Sequence, residues 1–315
     1  MRWALLAGLL VAAVALSVGT FAATSLLAGH PTPLASVGTH RVGHKGRTAP
    51  VGGQDRAQAG YLALGDSVAF GYRPTSVTPL AGYLHPASFT GYPEDLAKTL
   101  GLHLVNASCP GETTASMIDP AAPSNGCENS VQGGPGYRGF APLHVGFSGS
   151  QLSFAVHYLE RHPGTTLVTI DIGANDIFLC QQTTADQCAG ADFARVRATI
   201  SRNLATILSA VRNQAHYRHA LVVLTYYALS YDDNASVTQT RDLNAALTGP
   251  AARYGARIAD GYVAFRVASV RSGGDTCAAG LRIKQPAGGC DLHPTAVGQR
   301  VLAMAVQRAL GHRGT

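Results

Sequence analysis

The sequence predicts an α/β fold in which a central, mostly parallel five-stranded sheet lies between two layers of helices, a three-layer α/β/α sandwich. Two observations indicate this fold. Short apolar runs alternate along the chain with segments whose apolar residues recur at helical spacing. The runs at 167–172 and 219–226 are also nearly continuously apolar and rich in β-branched residues, as expected for parallel strands buried on both faces.

Five strands are predicted in chain order. The first is a short apolar run that stops at Gly65, and the last is a brief run after the longest helices. The predicted strands cover 60–64, 102–107, 167–172, 219–226 and 257–259.

Five helices fill the intervals between and after these strands. The first opens with Pro93-Glu94-Asp95, because proline suits the first turn and acids favour the positive end of the helix dipole. The fourth is expected to end before Gly249-Pro250, since proline breaks a helix interior. The predicted helices cover about 93–101, 150–161, 193–211, 236–247 and 294–310.

The N-terminal region is predicted to be a targeting segment followed by a linker. Arg2 precedes a stretch without charged side chains up to Leu27, which is typical of a signal peptide and also long enough to cross a bilayer as an uncleaved anchor. Both interpretations of 1–28 imply a secreted or otherwise extracytoplasmic protein. Residues 29–57 are rich in Gly, Pro, Thr and Arg without apolar periodicity, which predicts a flexible linker before the domain at 58–312.

Composition excludes several classes of protein. A chain of 315 residues that is 46% hydrophobic and 13% charged is not intrinsically disordered. The formal net charge is +6, but the basic residues are scattered and form no tract. We therefore expect no nucleic-acid partner, and we interpret the charge as a solvated surface that an anionic envelope could attract.

The cysteines predict three disulfides. An even number in an exported chain usually forms disulfides, and six cysteines allow 15 connectivities. They fall in three close pairs, which favours the sequential pairing 109–127, 180–188 and 277–290. No CxxC pair is present, so we expect neither a zinc site nor any other metal or cofactor. The six residues are Cys109, Cys127, Cys180, Cys188, Cys277 and Cys290.

Four short motifs carry the chemistry. In chain order they are Gly65-Asp66-Ser67, Ser108-Cys109-Pro110-Gly111, Gly173-Ala174-Asn175-Asp176 and Asp291-Leu292-His293-Pro294. The first three follow the first three predicted strands. Because ligands bind beyond the carboxyl ends of the strands in such sheets, we expect these motifs to meet at one edge.

Together the motifs supply the groups that acyl transfer needs. Ser67 can be the nucleophile and His293 its general base. The Ser67 N–H, the Gly111 N–H and the Asn175 side chain can form an oxyanion hole. Each assignment has a structural alternative, since Gly111 could be an ordinary turn glycine and Asn175 could cap the helix that follows it.

The order of the motifs resembles that of the SGNH hydrolases of the GDSL type, most closely the exported actinobacterial-type esterases and lipases with three disulfides. The resemblance covers about 58–312. It implies a flavodoxin-like sheet and cofactor-free hydrolysis of carboxylic esters through an acyl-enzyme. It also implies a monomer that acts on a small-molecule or lipid ester, with possible membrane or envelope association through the N-terminus.

The chain departs from this family in its last motif. Family members have an aspartate three residues before the histidine, where this chain has Cys290, and the nearest acid is Asp291. The third catalytic group is therefore either the Asp291 carboxylate or a backbone carbonyl near Cys290, and both alternatives stay open at this point.

Two further questions concern substrate and activity. Long Gly/Pro-rich loops at 72–92 and 112–150 carry aromatic residues that could shape an acyl pocket or merely pack the loops. The same catalytic residues would also serve an envelope carbohydrate O-acetylesterase. A non-catalytic binding protein is a third alternative, but the presence of both Ser67 and His293 argues against it.

Overall fold

The predicted α/β sandwich is confirmed, and all five strands of the central sheet are parallel. A computed structural model of the protein describes residues 59–311. The strands are β1 (Gly60–Gly65), β2 (His103–Asn106), β3 (Thr165–Asp171), β4 (Ala220–Leu224) and β5 (Arg257–Ala259). They lie in the order β2-β1-β3-β4-β5. The strand order reverses between β1 and β3, because β2 lies on one side of β1 and β3 on the other. Sheets of this kind bind ligands beyond the carboxyl ends of the strands at such a point.

Helices cover both faces of the sheet. Helices α2, α7 and α8 pack together in one layer, and α3 to α6 pack together in the other. Their bounds are α1 (Ser67–Phe70), α2 (Tyr92–Leu100), α3 (Gln151–Arg161), α4 (Ala174–Thr183), α5 (Gly190–Ser209), α6 (Asn234–Arg253), α7 (Gly261–Ser269) and α8 (Ala296–Ala309).

Local signals explain where several helices begin and end. The Glu94 carboxylate accepts a hydrogen bond from the Gly91 N–H at 2.8 Å, which caps the start of α2. Gly101 ends that helix with a φ of 63°. Ser150 caps α3 by accepting from the Ser153 N–H. These two helices start and stop close to their predicted ends.

The interior of the sheet is apolar, as its sequence predicts. Leu62 and Leu64 of β1, Ile170 of β3 and Val222 of β4 are fully buried. Consecutive residues of β1, β3 and β4 are buried, so these three central strands are covered on both faces, which holds their ends in a fixed arrangement.

The predicted end of α6 is wrong, because the helix continues through Pro250 to Arg253. Leu247, Pro250 and Ala251 are all buried in the domain interior. Burial of these side chains offsets the backbone hydrogen bond that proline cannot make.

The C-terminal part of the domain holds two elements that the sequence did not predict. One is α7. The other is a two-stranded antiparallel hairpin of β6 (Arg282–Lys284) and β7 (Cys290–Pro294). His293 therefore lies in a strand rather than a loop. Helix α8 begins at Ala296 with Thr295 as its cap, so Pro294 closes β7 and does not start the helix.

Three disulfides join the cysteines in the sequential pairing that the sequence favours. Their Cα–Cα distances are 5.7 Å for Cys109–Cys127, 5.2 Å for Cys180–Cys188 and 5.7 Å for Cys277–Cys290. Each disulfide closes a short loop outside the central sheet. Disulfides are typical of proteins that fold in an extracytoplasmic, oxidising compartment.

Within residues 59–311, no helix has the length and apolar character needed to cross a membrane. The predicted signal peptide or anchor at 1–28 and the linker at 29–57 lie outside the described residues. Both therefore stay predictions.

Candidate active site

The first three motifs meet at the carboxyl edge of the sheet. Ser67 follows β1, Gly111 follows β2 and Asn175 follows β3. The hairpin brings His293 to the same edge. The candidate site therefore combines residues from the two ends of the domain.

Ser67 stands at a sharp turn between β1 and α1 that requires glycine before it. Gly65 has a φ of 141°, and a Cβ there would lie 2.3 Å from the Asp171 carbonyl oxygen. The Asp66 side chain caps α1 by accepting a hydrogen bond from the Val68 N–H at 2.9 Å. Ser67 is thus the first residue of a capped helix, with its own N–H unpaired among residues 59–311.

The Ser67 hydroxyl contacts the His293 imidazole directly. Ser67 Oγ lies 2.9 Å from His293 Nε2, although 226 positions separate the two residues. The Tyr72 ring packs against the imidazole with 4.8 Å between ring centroids. The Tyr227 hydroxyl donates to the Leu292 carbonyl at 2.7 Å and holds the strand beside it. This is the arrangement of a nucleophile and its general base.

Asp291 supplies the third group. Its Oδ1 contacts His293 Nδ1 and also accepts a hydrogen bond from the backbone N–H of His293 at 2.9 Å. An aspartate commonly forms a turn of this kind with the N–H two residues after it. Burial raises the pKa of Asp291, but the hydrogen bond and charge of His293 outweigh it and hold the pKa below its ordinary value. Of the two alternatives, the structure brings the Asp291 carboxylate to the imidazole, not a carbonyl near Cys290.

Gly111 lies in a turn that leaves its N–H free. The Glu112 N–H donates to the Cys109 carbonyl at 3.1 Å, with Pro110 and Gly111 at the centre of the turn and a φ of 84° at Gly111. This is the pattern of a type II turn. A Cβ on Gly111 would lie 2.6 Å from the Asn125 carbonyl oxygen. The Gly111 N–H finds no acceptor among residues 59–311.

Asn175 is not a helix cap, because Gly173 occupies that position of α4. Its Oδ1 instead accepts from Asn125 Nδ2 at 2.9 Å, and the Gln182 amide fixes Asn125 in turn. This leaves the Asn175 NH₂ group to donate elsewhere. Asn125 also donates its backbone N–H to the Gly111 carbonyl at 2.8 Å, so it links two of the three proposed oxyanion donors.

A buried pair of carboxyl groups lies behind Ser67. The Tyr226 hydroxyl donates to Asp66 Oδ2 at 2.6 Å, and the Asp66 and Asp171 side chains are both buried. Burial raises the pKa of both groups, and the charge of Asp66 raises that of Asp171 further. Asp171 Oδ2 receives no hydrogen bond from the described residues, and one proton held by the pair would remove the repulsion between the two carboxylates.

Most aromatics of the two long loops pack the loops. Phe89 and Tyr137 are buried against Phe70, and Tyr83 is buried against Phe89. Phe140, in contrast, is 54% exposed. The acyl pocket that these loops could have shaped therefore stays a prediction.

One group of possible metal ligands occurs within the described part of the chain. It consists of Cys109, Glu112 and Cys127. Because both sulfurs are joined in a disulfide, they cannot bind a metal as thiolates.

A sequence comparison with known families gives a match. A sequence model of the GDSL-like Lipase/Acylhydrolase family matches residues 63–301. A comparison with curated proteins gives no match.

Similar solved structures include three hydrolases. The extracellular lipase of Streptomyces rimosus is 23% identical, over 80% of this chain and 99% of the lipase, with a TM-score of 0.51. Phospholipase A1 of Streptomyces albidoflavus NA297 is 22% identical, over 81% and 99%, with a TM-score of 0.50. An acetylxylan esterase of Geobacillus stearothermophilus is 15% identical, over 81% and 97%, with a TM-score of 0.50. At these identities the likeness shows the fold.

Proposed function

We propose that this chain, which belongs to the GDSL-like Lipase/Acylhydrolase family and is an ester-hydrolysing enzyme, is an exported serine esterase or lipase. It hydrolyses carboxylic esters through an acyl-enzyme on Ser67. The observation that carries this proposal is the continuous contact from Ser67 Oγ through the His293 imidazole to the Asp291 carboxylate.

Each step of the reaction has a group at the required place. His293 Nε2 takes the proton from Ser67 Oγ as that oxygen attacks the ester carbonyl, and Asp291 stabilises the imidazolium. The Ser67 and Gly111 N–H groups and the Asn175 amide donate to the oxyanion. His293 then gives its proton to the departing alcohol, and water repeats the sequence to release the acid.

Export is supported by the disulfides and by the composition of the N-terminal segment. Three disulfides suit an oxidising compartment, and the uncharged run that ends at Leu27 suits a signal peptide or an anchor. The choice between cleavage and anchoring can be made by N-terminal sequencing of the exported protein.

An ester panel tests the proposal. Wild type should hydrolyse esters of graded acyl length and react with a fluorophosphonate, whereas Ser67→Ala should do neither. Ser130→Ala is the control, because that hydroxyl donates only to the Gly133 carbonyl. Labelling that persists in Ser67→Ala would place the nucleophile elsewhere.

The panel also separates the carbohydrate alternative. An envelope carbohydrate O-acetylesterase would use the same residues but would prefer acetylated xylan or sugar to medium-chain esters. A preference for medium-chain esters favours the esterase or lipase.

A further inference from the structure

A fully buried glutamine joins the nucleophile turn to the oxyanion turn. Gln151 is the first residue of α3 and is completely inaccessible to solvent. Its Oε1 accepts from the Gly65 N–H at 2.6 Å, and its Nε2 donates to the Gly65 carbonyl at 3.0 Å. The remaining amide hydrogen goes to Glu112 Oε2, also at 3.0 Å. Every hydrogen-bonding site of this side chain except one lone pair is thus used.

Both partners of Gln151 are close in sequence to a proposed oxyanion donor. Gly65 is two residues before Ser67, and Glu112 directly follows Gly111. One backbone hydrogen bond also links the two turns, from the Cys109 N–H to the Gly65 carbonyl at 3.0 Å. With only that backbone hydrogen bond, the two turns could rotate relative to each other, which would change the distance between the Ser67 and Gly111 N–H groups. The Gln151 side chain restrains this rotation.

Glu112 is itself held on its far side. It is fully buried, and its Oε1 accepts a hydrogen bond from the Ser116 hydroxyl. Glu128 lies close enough for its charge to act on Glu112, and it forms an ion pair with Arg138 at 2.9 Å. Glu128 Oε2 is buried and receives no hydrogen bond from any N–H or O–H of residues 59–311. A proton on Glu112 removes the repulsion between the two carboxylates.

We infer that Gln151 and a protonated Glu112 are positioning residues that fix the Gly111 N–H relative to the Ser67 N–H. Burial and the neighbouring Glu128 charge raise the pKa of Glu112 well above its ordinary value, in agreement with this protonation state. The inference rests on the proposed function, because it assigns both N–H groups to the oxyanion hole. Preorganised donors act mainly on the transition state, so misplacing one should lower kcat rather than raise KM.

The test uses replacements of similar size. Gln151→Leu removes the bridge and should lower kcat about 10- to 100-fold with KM within about twofold. Glu112→Leu should have a similar effect. Glu112→Gln should keep at least about half of the activity, since a neutral amide can accept from Gln151 as a neutral carboxyl does and places no second charge beside Glu128.

Asn244→Leu is the matched control. Asn244 is also a buried amide that bridges the two backbone groups of one residue, accepting from the Tyr226 N–H at 2.9 Å and donating to the Tyr226 carbonyl at 2.8 Å. It contacts neither the nucleophile turn nor the oxyanion turn. Its loss should lower the melting temperature as much as Gln151→Leu does, but should change kcat less than about threefold.

Three outcomes would overturn the inference. Equal kcat losses in Gln151→Leu and Asn244→Leu would make the bridge purely structural, as would unchanged kcat in Gln151→Leu. A Glu112→Gln variant as inactive as Glu112→Leu would mean that the ionised carboxylate is required. Failure of the proposed function is seen separately in the wild type. If the wild type hydrolyses no ester, relative rates of fluorophosphonate labelling at Ser67 still compare the variants.

Discussion

Replacing Asp291 by Asn tests the part of the site in which this chain departs from its family. Asp291 Oδ1 serves two donors, the His293 backbone N–H and the imidazole Nδ1. An asparagine oxygen can keep the backbone bond and so preserve the turn. It cannot supply the negative charge, so the substitution isolates the charge from the shape of the hairpin.

The expected loss can be bounded. Neutralising the triad acid of a serine protease lowers kcat about 10⁴-fold. The Asp291 side chain is 15% exposed, and its Oδ2 also accepts from Gln285 at 3.3 Å, so water and a neighbouring amide can replace part of its effect. We expect a loss of about 10³-fold, which corresponds to about 4 kcal/mol of activation free energy.

The assay is kcat on the best ester of the panel, together with the melting temperature. Asp275→Asn is the matched control, because Asp275 accepts backbone N–H bonds from Cys277 and Ala278 in a neighbouring turn and does not contact His293. A loss of less than about tenfold in Asp291→Asn, with an unchanged melting temperature, would refute the assignment of Asp291 as the catalytic acid.

Four further predictions concern the donors, the disulfides and the pH dependence of stability. Asn175→Ala should lower kcat about 10²- to 10³-fold with little change in KM. Asn125→Ala should lower kcat about tenfold, because Asn125 only orients the Asn175 amide. Steady-state kinetics on the folded variants would contradict this if Asn125→Ala lost more activity than Asn175→Ala. Gly111→Ala should abolish activity and destabilise the fold by more than about 1 kcal/mol, since its φ of 84° and the nearby Asn125 carbonyl both oppose a side chain, and a fully active variant would disprove it. Reduction of the disulfides should inactivate the enzyme, whereas EDTA should not, and mass mapping that finds free thiols in the active protein would count against this. Burial raises the pKa of Glu94 to about 7, so between about pH 4 and 7 the folded protein holds a proton that the unfolded chain releases. The unfolding free energy should therefore be largest at the acid end of this range and fall by something on the order of 3 kcal/mol as pH rises to 7, and Glu94→Gln should flatten that dependence in denaturant titrations.

The parts of the site that follow strands were predictable from sequence for a physical reason. In a parallel sheet all strands end at the same edge, so Ser67, Gly111 and Asn175 had to converge once their strands were recognised. The sequential pairing of the cysteines was favoured because each pair is close in the chain.

Groups that depend on tertiary contacts could not be found in this way. Asn125 lies in a loop and Gln151 at a helix start, and nothing in their neighbouring residues indicates which distant groups their side chains bond. The same holds for the passage of α6 through Pro250, where burial overrides a strong local signal. The hairpin with His293 has strands too short to show an alternating pattern.

The turn at Asp291 makes the acid and the base one local unit. Because both groups belong to β7 and share a backbone hydrogen bond, a displacement of the hairpin carries them together. Among the contacts that join Ser67, His293 and Asp291, the 2.9 Å contact between Ser67 and His293 is the one that links distant parts of the chain. Insertions or deletions between Cys277 and Cys290 would therefore change mainly the distance between Ser67 Oγ and His293 Nε2. We expect such changes to lower the rate by degrees, while the His293 imidazole keeps its contact with the Asp291 carboxylate.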